Sequence, residues 1–92
     1  MILLNPERYK LLGFEKSNQK NKKYDAILTD GYKIKRIPFG ALNYEQYEDK
    51  ALGLYSNYNH YDKKRRQLYK LRHAKDINNL FSSGYFSNKY LW

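Results

Sequence analysis

From Tyr24 to Phe39, apolar and polar residues alternate with the period of two that puts neighbouring side chains on opposite faces of a strand. Asp30-Gly31 interrupts the run. The pair tolerates positive φ and predicts a hairpin closed by a two-residue type I′ turn. In that register Ile27 faces Ile34 and Asp25 faces Arg36 on one side of the sheet. On the other side Tyr24 faces Ile37, Ala26 faces Lys35 and Leu28 faces Lys33. The second face is half basic, and it reads either as the solvated side of a one-sided sheet or as a surface for an anionic ligand. Pro38 and Gly40 end the ladder, Pro for want of a donor and Gly because it permits a sharp change of direction. Tyr9 to Glu15 alternates more loosely and predicts a third strand, set off by the polar tract Ser17 to Lys23, a solvated loop. The strands thus fall at about 9–16, 23–29 and 32–39.

Beyond the hairpin the period changes. Ala41 to Tyr58 holds Tyr44, Tyr47, Tyr55 and Tyr58 without sustained periodicity and reads as a loop with one helical turn near Tyr44 to Lys50. Asp62 suits an N-cap, since its carboxylate accepts from free amides of a first turn, and starts a helix over about 62–75. Leu68, Tyr69 and Leu71 then face the core while Lys63, Arg66 and Lys70 point outward. Residues 77–92 form an aromatic C-terminal tail with Phe81, Tyr85, Phe86, Tyr90 and Trp92, too many rings to stay unburied. Residues 1–8 read as an arm, ordered where Ile2, Leu3 and Leu4 pack on something. The class is α+β: a small antiparallel β-meander of three strands, one basic helix and the tail. Its 92 residues bury one core, hence a single domain over 1–92.

Charge and composition turn this scaffold toward binding. The net charge is +9, split into two basic blocks: residues 1–36 carry nine Lys or Arg against four acids, and 61–92 carry eight against two. Between them, residues 37–60 carry one against three. Such a field attracts polyanions. Eleven Tyr, four Phe and one Trp accompany it, a mixture suited to wet, charged interfaces or to stacking on bases. With no cysteine, disulfides, thiolate zinc sites and thiol catalysis are excluded, which fits a reducing compartment. The longest apolar runs, Ile2 to Leu4 and Ala26 to Leu28, are too short for a membrane span or a secretory signal.

Catalytic candidates are thin. His60 and His73 lie near Asp62 and Asp76 without a recognised metal-ligand spacing, and only Glu48 and Asp49 are adjacent acids. Gly40, Gly53 and Gly84 stand alone, outside any phosphate-cradling motif. No catalytic residue, metal, cofactor or small-molecule substrate is expected. The candidates for binding nucleic acid or another anionic surface are Lys33 and Lys35 on the hairpin and Lys63, Lys64, Arg66 and Lys70 on the helix. The same basic run also reads as a nuclear-import signal or as a solvated face. Structural and interface candidates are Tyr44, Tyr47, Tyr55, Tyr69, Tyr85, Phe86 and Trp92, with Arg65 and Arg72. Those two arginines, seven apart, turn inward to stack on tail rings or to pair with acids of the middle segment, or else remain in solvent.

The order of motifs carries a resemblance. Ile37-Pro38-Phe39-Gly40 is followed by Tyr44 and Tyr47 with Asp49-Lys50, then His60, Asp62-Lys63-Lys64-Arg65-Arg66, Tyr69 and Arg72-His73, and finally Gly84-Tyr85-Phe86-Ser87 and Leu91-Trp92. Over residues 9–92 this resembles an uncharacterised family of small basic proteins encoded by large double-stranded DNA viruses of algae and amoebae, with relatives in tailed phages. That family's tail carries more tryptophan, and Tyr85, Phe86 and Tyr90 stand in its place here. The resemblance implies a viral setting and no activity. The expectation is a non-enzymatic minor capsid or cement-like virion component whose arm, Tyr-rich loop and tail dock on neighbouring capsid proteins while its basic faces meet acidic capsid surfaces or the genome. The alternative is a nucleic-acid-binding accessory protein of the host cytoplasm or nucleus, using the basic helix and the hairpin face. Neither involves a membrane.

Overall fold

Asp30 and its neighbours decide how the hairpin closes. In the computed structural model, which describes residues 4–92, Asp30 Oδ1 accepts from the N–H groups of Tyr32 and Lys33, both at 2.9 Å. Thr29 Oγ1 accepts from Gly31 N–H at 3.0 Å and donates to the Lys33 carbonyl at 2.9 Å. These local bonds hold a four-residue loop, Asp30 to Lys33, in place of the two-residue turn. The strands β1 (Lys10–Lys16), β2 (Lys22–Thr29) and β3 (Ile34–Ala41) form an antiparallel meander in the order β1-β2-β3. Two helices follow, α1 (Lys63–Arg72) and α2 (Ser83–Tyr90), so the class is α+β.

The wider loop moves the pairing by two residues: Tyr24 faces Phe39, Ala26 faces Ile37, Leu28 faces Lys35 and Ile27 faces Arg36. An even slip keeps every side chain on its face but changes its partner. The face expected to be half basic is therefore the core face, with Tyr24, Ala26, Leu28, Ile37 and Phe39 all fully buried. Lys33 has left the sheet for the loop, and Lys35 is an exposed residue at its end. The ladder also runs on past Pro38 and Gly40, to Lys22 opposite Ala41. Pro38 is accommodated because β3 is an edge strand, and its carbonyl accepts from Ser83 Oγ at 2.7 Å. Gly40 has φ +81°, and a Cβ there would lie 2.8 Å from Leu91 Cδ1, so its absence lets the C-terminal segment seat against β3. A bulge between Leu11 and Gly13 explains the loose alternation of β1: it lets Leu11 and Phe14, three apart, both pack on the core.

The aromatic tail is a helix. Ser82 caps α2 by accepting from Tyr85 N–H at 3.1 Å, and Phe86 enters the core with its ring centroid 5.5 Å from Phe39 and 6.2 Å from Phe14. The rings of residues 77–92 thus find the burial that their number implies, packed on the chain's own core.

Asp62 caps α1 as its sequence implies, accepting from Lys64 and Arg65 N–H at 3.0 and 3.2 Å. The helix stops at Arg72, short of residue 75, and a 3-10 turn over Ala74–Asn78 follows. Its orientation corrects the expectation: Leu68 and Leu71 are exposed at 51% and 68%, while Arg66 and Lys70 turn inward. The middle segment forms no helical turn at 44–50. It is held by a parallel bridge between Gln46 and Asn59, a 3-10 turn over Ser56–Tyr58, and buried Asp49, which accepts from Tyr24 Oη at 2.6 Å and Tyr55 N–H at 3.0 Å. Of the arm, a 3-10 turn over Pro6–Arg8 and an exposed Leu4 are described; Ile2 and Leu3 lie outside the described residues. No described helix is long and apolar enough to cross a membrane.

Candidate anion-binding cleft

The site starts from a lysine that sequence polarity assigned to a loop. Lys23 belongs to β2 and is 1% exposed. Its Nζ donates to the Tyr44 carbonyl at 2.6 Å and to Gln46 Oε1, and it lies 5.3 Å from the centre of the Tyr58 ring. Among the described residues no carboxylate lies within ion-pair distance of it. Burial therefore lowers its pKa to about 8, against the opposing pull of the Asp49 charge. Gln46 is fixed as tightly. Its backbone N–H donates to Tyr58 O at 3.1 Å and its carbonyl accepts from His60 N–H at 2.9 Å, while Nε2 donates to Tyr55 O and Asn59 Oδ1 at 2.8 and 2.7 Å.

The opposite wall is α1. It is tied down by cations on main-chain oxygens: Arg66 Nε donates to Trp92 O at 2.7 Å, and Lys70 Nζ donates to Asn88 O and Oδ1, both at 2.8 Å. Arg66 also lies 4.9 Å over the Tyr47 ring. Aromatic stacking completes the joint, with Tyr69 4.2 Å from Trp92 at an interplanar angle of 4° and 4.3 Å from His73. Burial lowers the Lys70 pKa and raises that of Tyr69 to about 12. This docking presents Arg65 and Arg72 at the rim. Arg65 pairs with Glu45 at 3.0 Å, and no described carboxylate pairs with Arg72.

Between floor and wall lies a cleft of about 320 Å³. Tyr44, Tyr69 and Trp92 supply its rings, Arg65 and Arg72 its cations, and Lys23 and Gln46 its floor. Glu45 is the acid among its lining residues. Tyr44, at the mouth, is 72% exposed. Cations beside rings, over a buried ammonium, suit a ligand that carries both negative charge and a flat face.

Five of the residues singled out for interface character, Tyr44, Arg65, Tyr69, Arg72 and Trp92, meet in this cleft. Tyr47 supports Arg66, Tyr55 packs on Tyr24 with centroids 5.2 Å apart, and Tyr85 and Phe86 belong to the core side of α2. Of the anion-binding candidates, Lys33, Lys35, Lys63 and Lys64 are exposed and line no part of it, and Arg66 and Lys70 are fasteners of the fold. Lys23 and Gln46 were missed. The signal for Lys23 was its place at the start of the strand expected over 23–29.

The histidines sit apart from one another's chemistry. His60 Nδ1 accepts from Asp62 N–H at 2.9 Å, which places the neutral ring's proton on Nε2, a buried atom with no partner among the described residues; burial and the nearby Arg65 charge lower its pKa. His73 Nδ1 lies 3.0 Å from Asp76 Oδ2. Among the described residues no cluster of three His, Asp or Glu could hold a metal ion.

Among known proteins, a family of unknown function (DUF5754) matches residues 12–51. The match spans β2, β3 and the floor of the cleft from Lys23 to Gln46, and stops before the wall that α1 provides. No curated protein and no solved structure matches the chain.

Proposed function

We propose that the protein is a non-enzymatic nucleic-acid-binding protein, working in the particle or the infected cell of a double-stranded DNA virus. The viral setting rests on the order of motifs along the chain. The binding role rests on one observation, the cleft that sets Arg65 and Arg72 beside Tyr44, Tyr69 and Trp92 above the buried Lys23. The surrounding charge favours it. Among the described residues only Arg36 and Arg65 of the eighteen Lys and Arg form an ion pair with a carboxylate, so most of the positive charge is unspent by the fold. Lys63 and Lys64, exposed on the turn that precedes Arg65, would contact flanking phosphates.

Salt titration tests the reading. Affinity for DNA should fall steeply between about 50 and 200 mM salt, and the double substitution Lys63→Gln, Lys64→Gln should flatten the dependence. Arg66 and Lys70 are left intact in that variant because they fasten α1. Affinity insensitive to salt would overturn the proposal.

A second reading, a cement-like minor capsid protein seated on neighbouring capsid subunits, is favoured by the exposed Leu68 and Leu71 on α1. With the tail folded into the core, that reading depends on this stripe and on exposed Tyr44 and Tyr61. Its test is the protein inventory of purified particles, from which the chain's absence would remove it.

A further inference from the structure

We infer that the cleft takes one unpaired nucleotide, with its base on the Tyr44 ring and its phosphate between Arg72 and Arg65, so that the protein selects single-stranded over duplex nucleic acid. This rests on the nucleic-acid reading above and specifies the site and the form of the ligand.

Size and shape give the first argument. A cleft of about 320 Å³ lies at the small end of the range for pockets that enclose a discrete ligand, about 300–1,000 Å³, and is a concavity for one residue of a polymer. A duplex keeps its bases stacked on one another and offers no free π-face to such a cleft. The rings give the second. Tyr69 and Trp92 spend a face on each other at 4.2 Å, and Tyr69 spends its second on His73. The Tyr44 ring has no aromatic or cationic partner among the described residues, and the residue is 72% exposed at the mouth. A base laid on it gains the sequence-tolerant stacking that single-strand binders use.

The cations give the third. Arg72 has no described acid partner, and Arg65 is shared with Glu45, so a phosphate arriving between them finds one free guanidinium and one that can be recruited. The floor adds charge without reading sequence. Lys23 is a buried ammonium with no counter-ion among the described residues, whereas the Gln46 amide already makes its bonds to Lys23, Tyr55 and Asn59. No unsatisfied amide on the floor is left to distinguish one base edge from another, so little sequence preference follows.

The test measures anisotropy of a labelled oligothymidylate and of a labelled duplex of equal length, with wild-type protein and with Tyr44→Ala, Tyr44→Phe, Arg72→Gln and Glu45→Gln. Tyr44 is exposed, so its removal leaves the core intact. The single strand should bind more tightly than the duplex. Tyr44→Ala should weaken single-strand binding about tenfold, the order of one stacked base, while Tyr44→Phe keeps it within about twofold. Arg72→Gln should reduce the slope of log K against log salt by about 0.7, the value for one phosphate of a single strand. Glu45→Gln should tighten binding by releasing Arg65. Single-strand affinity unchanged in Tyr44→Ala, or a duplex bound as tightly as the single strand, overturns this inference. Salt-dependent binding in that case still supports the broader nucleic-acid role, whereas no binding of either oligonucleotide removes both.

Discussion

Two interfaces hold the C-terminal part of the chain, and they are made of different materials. α2 meets the sheet through rings: Phe86, fully buried, packs against Phe39, Phe14 and Phe81 with centroids between 5.5 and 6.2 Å apart. α1 buries no residue completely. It meets the C-terminal segment through Arg66 and Lys70 on main-chain oxygens and through the Tyr69 stack on Trp92. The first joint follows from apolar burial, which is non-directional and large. The second is directional, and its worth depends on a few charge-assisted bonds. The contrast teaches that the positive charge of this protein has two uses. Some cations fasten a helix and are unavailable to a ligand, and others, brought to the rim by that fastening, are free to meet one.

The sharpest way to break the comparison is to remove the material of each joint in turn. Phe86→Ala should cost about 3–5 kcal/mol, the usual price of a large cavity in an aromatic core, and thermal melting will register it as a loss of most of the fold's margin. Lys70→Ala should cost about 1–3 kcal/mol, because the Asn88 side chain, 3% exposed, loses the donor to its oxygen. Equal losses for Lys70→Ala and Lys63→Ala would erase the distinction between fastening and free cations, since Lys63, on the exposed turn, should stay within about 0.5 kcal/mol of wild type. Asp62→Ala removes the acceptor for two amides of α1 and should cost about 1 kcal/mol, measured by denaturant unfolding.

A pH-linked effect reports on Lys23. Its folded pKa of about 8 lies below the ordinary 10.5, so between those values the unfolded chain binds more protons and stability rises with pH. From about pH 10 upward Tyr69, raised to about 12, works in the opposite sense, because the folded chain then holds the extra proton. Melting temperatures from pH 7.5 to 9.5 should therefore rise in wild type and rise less in Lys23→Met, where Lys70, also lowered by burial, still works in the same sense. A rise unchanged in the variant would assign the trend to another group.

How far the sequence led can be traced through particular residues. The alternation from Tyr24 to Phe39 marks both strands and the residues that share a face, because the period survives an even slip of register, but it reads the Tyr24 face as solvated or ligand-binding where the structure makes it the core. The slip itself lay in side-chain bonds from Thr29 and Asp30 that compete with the type I′ turn, and no periodicity reports those. α1 was found by its cap but turned to the wrong side, since hydrophobicity placed Leu68 and Leu71 inward while the partner surface was a row of oxygens on Asn88 and Trp92. α2 was hidden by Ser83, Gly84 and Ser87 among its rings, which dilute any apolar stripe. In the cleft, the rings and arginines stood out by residue type. Lys23 and Gln46 did not, because the burial of a polar side chain depends on the long-range contact that joins β2 to the middle segment.

The central claim, that the cleft and not the hairpin is where nucleic acid binds, is tested most directly by titrating isotope-labelled protein with a short single-stranded oligonucleotide and following the amide and indole resonances. The account predicts that shifts concentrate at Ala41, Glu45, Arg65, Arg72 and Trp92 around the cleft, while Lys33 and Lys35 on the hairpin remain in place. Shifts centred on Lys33 and Lys35, with the Trp92 indole unmoved, would contradict it.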